Sequence, residues 1–328
     1  MRYNRDGVLM VPWGYVAGFQ VDPIEKKPFY HFLPGEDALT FGMLGCDFHC
    51  DYCQNWITSQ VLRDEAASAA GGAIREIDAE SIVEAGRRMG ASIVASSYNE
   101  PLITSEWAFA IFSLAKQAGM KCVYVSNGHA TPEVMDYLLP VLDGYKIDLK
   151  SMREEAYRQF GGSLQAVLET IRMAFERELW VEVVTLVVPG FNDSVDELMS
   201  AARTISSISS DIPWHVTAFH RDYRMQDYEN TGREILQRAA EIGQEAGLNH
   251  VYAGNLPGVL EEYEHTHCPQ CHATLIERRG FLVSGYHLLA EGRCPSCGAK
   301  IAGVWSPDPS SVHVSRPGDL FFRRPRLL

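Results

Sequence analysis

Cys46, Cys50 and Cys53 stand at CxxxCxxC spacing in the stretch Gly45-Cys46-Asp47-Phe48-His49-Cys50-Asp51-Tyr52-Cys53-Gln54-Asn55. Thiolate sulfur is the usual ligand of iron–sulfur clusters, and a four-iron cluster takes four such ligands. Three on one loop leave one iron open to something else. The loop must turn tightly, and Gly45 can supply the turn. A zinc knuckle one ligand short and three unrelated thiols are the alternatives. Cysteine is scarce over most of the chain, which argues against chance clustering. Four more thiols fall in two pairs, Cys268-Pro269-Gln270-Cys271 and Cys294-Pro295-Ser296-Cys297, with 22 residues between them. That spacing points to a zinc-ribbon or rubredoxin-like site with four sulfurs around one ion. With zinc the site is closed and structural; iron would make it an electron relay. His265 and His267 are close enough to compete as ligands but read as linker residues. Cys122, inside an apolar run, reads as a small buried hydrophobe.

A chain of 328 residues can bury one large core and a small one beside it. Acidic residues exceed basic ones by 13, against a nucleic-acid-binding surface, which needs a basic footprint. No run approaches the roughly 18 to 20 apolar residues of a membrane span. The start, Met1-Arg2-Tyr3-Asn4-Arg5-Asp6, lacks the apolar core of a secretory signal. Grouped cysteines suit metal binding in a reducing cytosol better than a disulfide framework. The expectation is a cytoplasmic protein without nucleic-acid or membrane partners.

The thiols must be held by something, and the elements follow a rhythm. Residues 1–38 read as a strand or two with loops, including a proline-rich loop from Val21 to Gly35. In it Lys26, Lys27 and His31 could meet an anion, although a solvated charge pair is the favoured reading of the lysines. The run 39–44 reads as a strand, and 61–76 as a flexible connection. Strand-like runs recur at 91–96, 121–125, 145–149, 180–188, 214–219 and 250–253, separated by helical patterns. Such alternation implies parallel strands joined by right-handed crossovers. Six or more units fit a barrel or partial barrel, whose site lies at the C-terminal strand ends. Those ends carry the cysteine loop, Ser97-Tyr98-Asn99-Glu100-Pro101, Ser126-Asn127-Gly128-His129, Asp148-Leu149-Lys150, Val188-Pro189-Gly190-Phe191-Asn192-Asp193 and Phe219-His220-Arg221. Each alone is an ordinary turn or ion pair; their shared position favours function.

CxxxCxYC followed by six strand–helix units resembles the radical S-adenosylmethionine (SAM) enzymes. DLK, VVPGFND and AFH resemble the branch with pyruvate formate-lyase activating enzyme. VDPIEKKPFYHFLPG, GCDFHCDYCQNW, SSYNEP and CPxC…GRCPxCGAKIAGVW look like the radical SAM component of the AmmeMemoRadiSam system. The resemblance implies an α/β fold, a partial (β/α)6 TIM-like barrel with a small C-terminal zinc-ribbon or rubredoxin-like module. It implies a 4Fe–4S cluster on Cys46, Cys50 and Cys53, with SAM chelating the fourth iron. Reductive cleavage of SAM would give methionine and a 5′-deoxyadenosyl radical that abstracts hydrogen. By position, Asn99 and Glu100 would hold the methionine amino group and Lys150 its carboxylate. Asp148, Ser126, Asn127 and His220 would line the pocket, with Val188 and Tyr52 near the adenine. Two departures stand out: Tyr98-Asn99-Glu100 replaces the family's GGE, and Val125 stands where activases carry a cation-binding aspartate.

The parts are then an N-terminal extension (1–38), a radical SAM core (39–260), a four-cysteine module holding zinc or iron (261–310) and a basic tail (311–328). The tail's Phe321-Phe322-Arg323-Arg324-Pro325-Arg326 either docks on the barrel, meets an acidic partner or frays. Implied partners are a reduced flavodoxin- or ferredoxin-type electron donor and Memo-type and AMMECR-type proteins. The rival enzyme function is activation of a glycyl radical enzyme; the rival of another class is a non-catalytic metal-binding scaffold.

Overall fold

The computed structural model describes residues 2–70, 74–315 and 326–327. Its main sheet contains β1 (Gly18–Pro23), β2 (Asp37–Gly42), β3 (Ile93–Ser96), β4 (Lys121–Ser126), β5 (Gly144–Asp148), β6 (Trp180–Val187), β7 (Trp214–Ala218) and β8 (Val251–Gly254). Strands β2 to β8 are parallel and lie side by side in chain order; β1 runs antiparallel along β2. Stepping always to the next neighbour sends every crossover to one face, so the sheet curls. Among the described residues β8 and β1 are not paired with each other, so the barrel is partial.

The connecting helices are α1 (Ala79–Arg88), α2 (Ser105–Gln117), α3 (Pro132–Leu138), α4 (Glu154–Phe160), α5 (Leu164–Glu176), α6 (Val195–Ile208) and α7 (Arg233–Glu245). Side chains of Asp78, Thr131, Ser163 and Ser194 cap α1, α3, α5 and α6 by accepting from orphan backbone N–H groups. Each such cap contributes about 1 kcal/mol. The buried stripes of these helices pack on near-continuous apolar strands such as Val181, Val183 and Val187 of β6. None of the helices is long and apolar enough to cross a membrane.

The gap between β1 and β8 is bridged by the loop after β1 and by a ribbon after β8. The ribbon consists of β9 (Thr266–His267), β10 (Thr274–Arg279) and β11 (Leu282–Tyr286). Leu33 N–H donates to Val304 O and Val304 N–H to His31 O, each at 2.7 Å. Fully buried Arg278 donates to Tyr30 O and Thr266 Oγ1, its guanidinium stacked 4.3 Å from the Tyr30 ring. Glu182 of β6 accepts from Tyr30 N–H and His31 N–H, holding the loop inside the barrel.

Two expectations are corrected, and the tail's is met in part. The stretch 61–76 contains helix Glu65–Ala70 and strand Arg75–Glu76, paired with Tyr15–Val16; residues 71–73 lie outside the described ones. Residues 2–36 form four strands, including a Tyr3–Arg5/Val8–Met10 hairpin, before β2 begins at Asp37. Most of the basic tail, 316–325, lies outside the described residues, while Arg326–Leu327 pairs with Val21 and Gln20 at the edge of β1.

Candidate active site

The C-terminal ends of all seven parallel strands contribute to one cavity of about 410 Å³, an ordinary size for a small-molecule site. The cysteine loop forms one wall. Gly45 takes φ +95° and donates its N–H to Thr58 O, the turn its residue type allows. His49 N–H donates to Phe160 O at the end of α4, and Gln60 Nε2 to Phe48 O. Gly161 follows at φ +89°; a Cβ there would stand 2.7 Å from the His49 ring, so helix end and loop fit only with glycine. Asn127 Nδ2 ties Asp47 to the end of β4 at 2.8 Å.

Cys46, Cys50 and Cys53 all open on this cavity. Burial pushes the Cys50 thiol up to about 12 and raises Cys46 and Cys53 as well. Thiolates here need cationic charge beside them, which a metal cluster brings. The three residues therefore fit a cluster as a donor set.

Glu100 faces them from the end of β3. Its Oε1 accepts from Leu102 N–H and Ser126 Oγ, its Oε2 from Asn127 N–H at 2.7 Å. Burial and Asp47 push its carboxyl up to about 8 against those donors. Raised that far, the group is mainly the neutral acid near neutral pH, and an ammonium placed beside it would favour its carboxylate. Asn99 also lines the cavity, with Oδ1 accepting from Met43 N–H and Nδ2 donating to Glu100 O. Asp148 lies between Lys146 and Lys150. Burial works to raise its carboxyl, but the two lysines outweigh that and hold it at about 2. Asn192 explains the VVPGFND run: its Oδ1 accepts from Val188 N–H and its Nδ2 donates to Lys150 O, fixing the backbone beside the lysine.

Ten of the expected residues thus line one cavity: the three cysteines, Tyr52, Asn99, Glu100, Ser126, Asn127, Asp148 and Lys150. Val188 and His220 are not in its lining. Side-chain alternation along β6 and β7 turns Val184, Leu186 and Thr217 inward, and the strands end at Val187 and Ala218 before the alternation reaches the other two. His220 is exposed. Thr217 was legible from that alternation; Asn255 and Phe281, also in the lining, carried no signal of their own. The lysine pair is corrected: Lys27 is 4% exposed, paired with Asp22, and lines the cavity with Lys26. His31 is fully buried between Ala302 O and Tyr252 Oη, away from the cavity.

The C-terminal thiols form a second site. Cys268 and Cys297 Sγ lie 3.6 Å apart, as do those of Cys271 and Cys294, and all four lie within 4.8 Å of one another. A tetrahedron with metal–sulfur bonds of about 2.3 Å has edges of about 3.8 Å, so the set can hold one ion. His265 and His267 are not among these ligands. The set sits on its own small core of Leu275, Ile276, Val283, Leu288 and Ile301, a zinc-ribbon-like module.

A model of the radical SAM superfamily matches residues 41–202. A Methanocaldococcus jannaschii protein of uncharacterized function, MJ0808, is 37% identical over 303 residues, 92% of this chain and 88% of that protein. The (2S)-3-sulfopropanediol sulfolyase activating enzyme of Bilophila wadsworthia is 27% identical over 137 residues, 41% of this chain and 45% of that enzyme. In fold, a radical SAM methyltransferase from Sphaerobacter thermophilus aligns with TM-score 0.51 at 15% identity, covering 70% of this chain and 69% of that one. The superfamily implies a 4Fe–4S cluster and SAM, and the cavity presents the thiols, carboxylate and lysine that such a pair would use. This chain belongs to the radical SAM superfamily and is an enzyme of that class.

Proposed function

We propose that Cys46, Cys50 and Cys53 hold the 4Fe–4S cluster, that SAM binds its open iron, and that the chain abstracts hydrogen from a substrate. When bound, the two groups supply a one-electron cleavage of SAM to methionine and a 5′-deoxyadenosyl radical. The chain's own residues bind and orient. Glu100, aimed by Ser126 and Asn127, receives the ammonium of SAM, with Asn99 beside it. Lys150, braced by Asp148, faces the carboxylate. Val184, Leu186 and Thr217 form the opposite wall in place of Val188 and His220, with Tyr52 buried beside the cysteines. The observation that carries this reading is that three thiols, Glu100 and Lys150 open on one cavity at the strand ends. Anaerobic loading with iron and sulfide, then dithionite and SAM, should give iron–sulfur absorbance with 5′-deoxyadenosine and methionine in equal amounts. Absorbance without deoxyadenosine would sink the reading.

A Glu100→Gln variant is expected to bind SAM roughly 10 to 100 times more weakly, the scale of one charged hydrogen bond of about 1.5–3 kcal/mol. Iron content should be unchanged; equilibrium dialysis with labelled SAM measures the first and iron assay the second. Equal SAM affinity in the two proteins would remove Glu100 from the binding site.

We assign the extension 1–38, the core 39–260, the module 261–310 and the tail 311–328 as parts of this enzyme, with zinc in the module and a reduced flavodoxin or ferredoxin as electron source. The loop and ribbon motifs carrying the AmmeMemoRadiSam resemblance meet at the barrel gap, which supports partner-linked work with Memo-type and AMMECR-type proteins. A second reading, activation of a glycyl radical enzyme, is favoured by the kinship to the Bilophila activating enzyme. This chain spans about half the length of that relative. A glycyl-radical EPR doublet on a candidate partner after incubation would select it.

A further inference from the structure

The cavity has a second polar end, and the SAM assignment leaves it unused. Lys26, Lys27 and Pro28, from the loop after β1, line it together with Tyr98, Asn255 and Phe281. Asp22 faces both lysines, with Lys26 Nζ at 2.9 Å and Lys27 Nζ at 3.0 Å from its oxygens. Among the described residues neither lysine has another carboxylate within ion-pair distance. One positive charge in this group therefore has no counterpart. Lys27 Nζ lies 3.0 and 3.3 Å from the two Asp22 oxygens and donates at 3.3 Å to Tyr98 Oη. Burying an ammonium this deeply is costly unless its charge is matched. The desolvation is strong enough to pull Lys27 down to about 8, which leaves it mainly charged at neutral pH.

Tyr98 adds an independent observation. Its φ is +70°, a left-handed conformation that costs a bulky residue of order 1–3 kcal/mol. Glycine is what this backbone favours; the tyrosine instead lays its ring 4.9 Å from Lys27 Nζ. Backbone strain is thus maintained where an aromatic ring supports the buried ammonium of this surplus-charge group.

We propose that Lys27, seconded by Lys26, binds an anionic group, a carboxylate or phosphate, on a small-molecule substrate. With SAM in place the charges at its end would match: Asp148 balances one of Lys146 and Lys150, the other faces the carboxylate, and Glu100 ionises against the ammonium. The excess lies at the Lys26–Lys27 end. Only a group small enough to enter the cavity reaches Lys27, which is 4% exposed. That the anion belongs to a substrate rests on the radical SAM reading; the anion site does not.

Calorimetric titration of the full chain with inorganic phosphate, malonate and neutral malonamide tests the site without needing cluster or turnover. Wild type is expected to bind phosphate or malonate, whichever matches the substrate's group, and not malonamide. Lys27→Met should weaken that binding at least tenfold, Lys27→Arg should retain it, and Lys116→Met, on a surface pair with Asp143, should leave it unchanged. Lys26→Met cancels the excess charge while leaving the buried ammonium in place; it should also weaken binding if Lys27→Met fails to fold. Lys150→Met separates the two ends: binding that survives Lys150→Met and is lost in Lys27→Met or Lys26→Met supports the site. Binding lost only in Lys150→Met, or equal for malonamide, overturns it. Because deoxyadenosine formation is measured separately, anion binding can stand where the radical reading falls, and the reverse.

Discussion

Cys50→Ala is expected to lose most of the chain's iron and to cut deoxyadenosine formation about 10³-fold or more, the scale on which an indispensable chemical group is felt. The loop does not depend on this side chain for its shape. Gly45 N–H is held by Thr58 O, His49 N–H by Phe160 O, Cys53 N–H by Cys50 O and Phe48 O by Gln60, all through backbone atoms at the loop end of the contact. Alanine leaves each of them in place and removes about one sulfur's volume from a wall that already faces a cavity. Melting temperature should therefore stay within a few degrees of wild type while iron and activity fall together. Burial raises the Cys50 thiol and the Lys150 charge offsets this only in part, so its thiolate depends on a bound cluster. A Cys50→Ala protein that keeps its iron and still cleaves SAM would move the cluster elsewhere. Iron assay, absorbance and product analysis on one anaerobic preparation decide the matter.

How far the sequence reached depended on the range of each signal. The parallel units were legible because strands β2 to β8 are apolar runs punctuated by helices with their own caps, a local pattern. The cysteine loop was legible because its three ligands lie within eight residues. Glu100 was placed by its position after β3, but the donors that aim it come from the end of β4, 26 and 27 residues on. Val188 and His220, placed by motif position, lie past the ends of β6 and β7 and outside the cavity lining. Lys27 was read as solvated since nothing nearby in sequence shows that Tyr98, 71 residues away, covers it. Arg278 was the least legible. It joins the ribbon to Tyr30 across 248 residues, and in sequence it is one arginine of a hairpin.

Depriving the four-cysteine set of the ion it can hold is expected to unfold residues 266–301 and to open the barrel gap. The module's core is a handful of apolar side chains around two buried cysteines. Folds of fewer than about 40 residues usually need a metal or disulfides to hold together. A structural zinc site contributes about 10–16 kcal/mol, as much as the whole stability of a typical domain at about 5–15 kcal/mol. An apo ribbon therefore has little left to fold it. Its loss reaches the barrel through Arg278, whose withdrawal leaves Tyr30 O without its donor and uncovers the Tyr30 ring. Leaving a buried carbonyl without its donor costs about 1–3 kcal/mol. The cavity feels it too, because Phe281 at the hairpin turn is part of its lining. A Cys271→Ser/Cys297→Ser double variant changes only the two exposed ligands and spares Cys268 and Cys294 in the small core. Limited proteolysis should then cut within 266–301 while the parallel sheet stays protected, and metal analysis should show the ribbon ion gone. The same variant should still take up iron on Cys46, Cys50 and Cys53, since the cysteine loop is braced by α4 and β4. Unchanged protease resistance across 266–301 in the metal-free protein would show that the ribbon folds on its apolar core alone and that the ion is dispensable to the barrel wall.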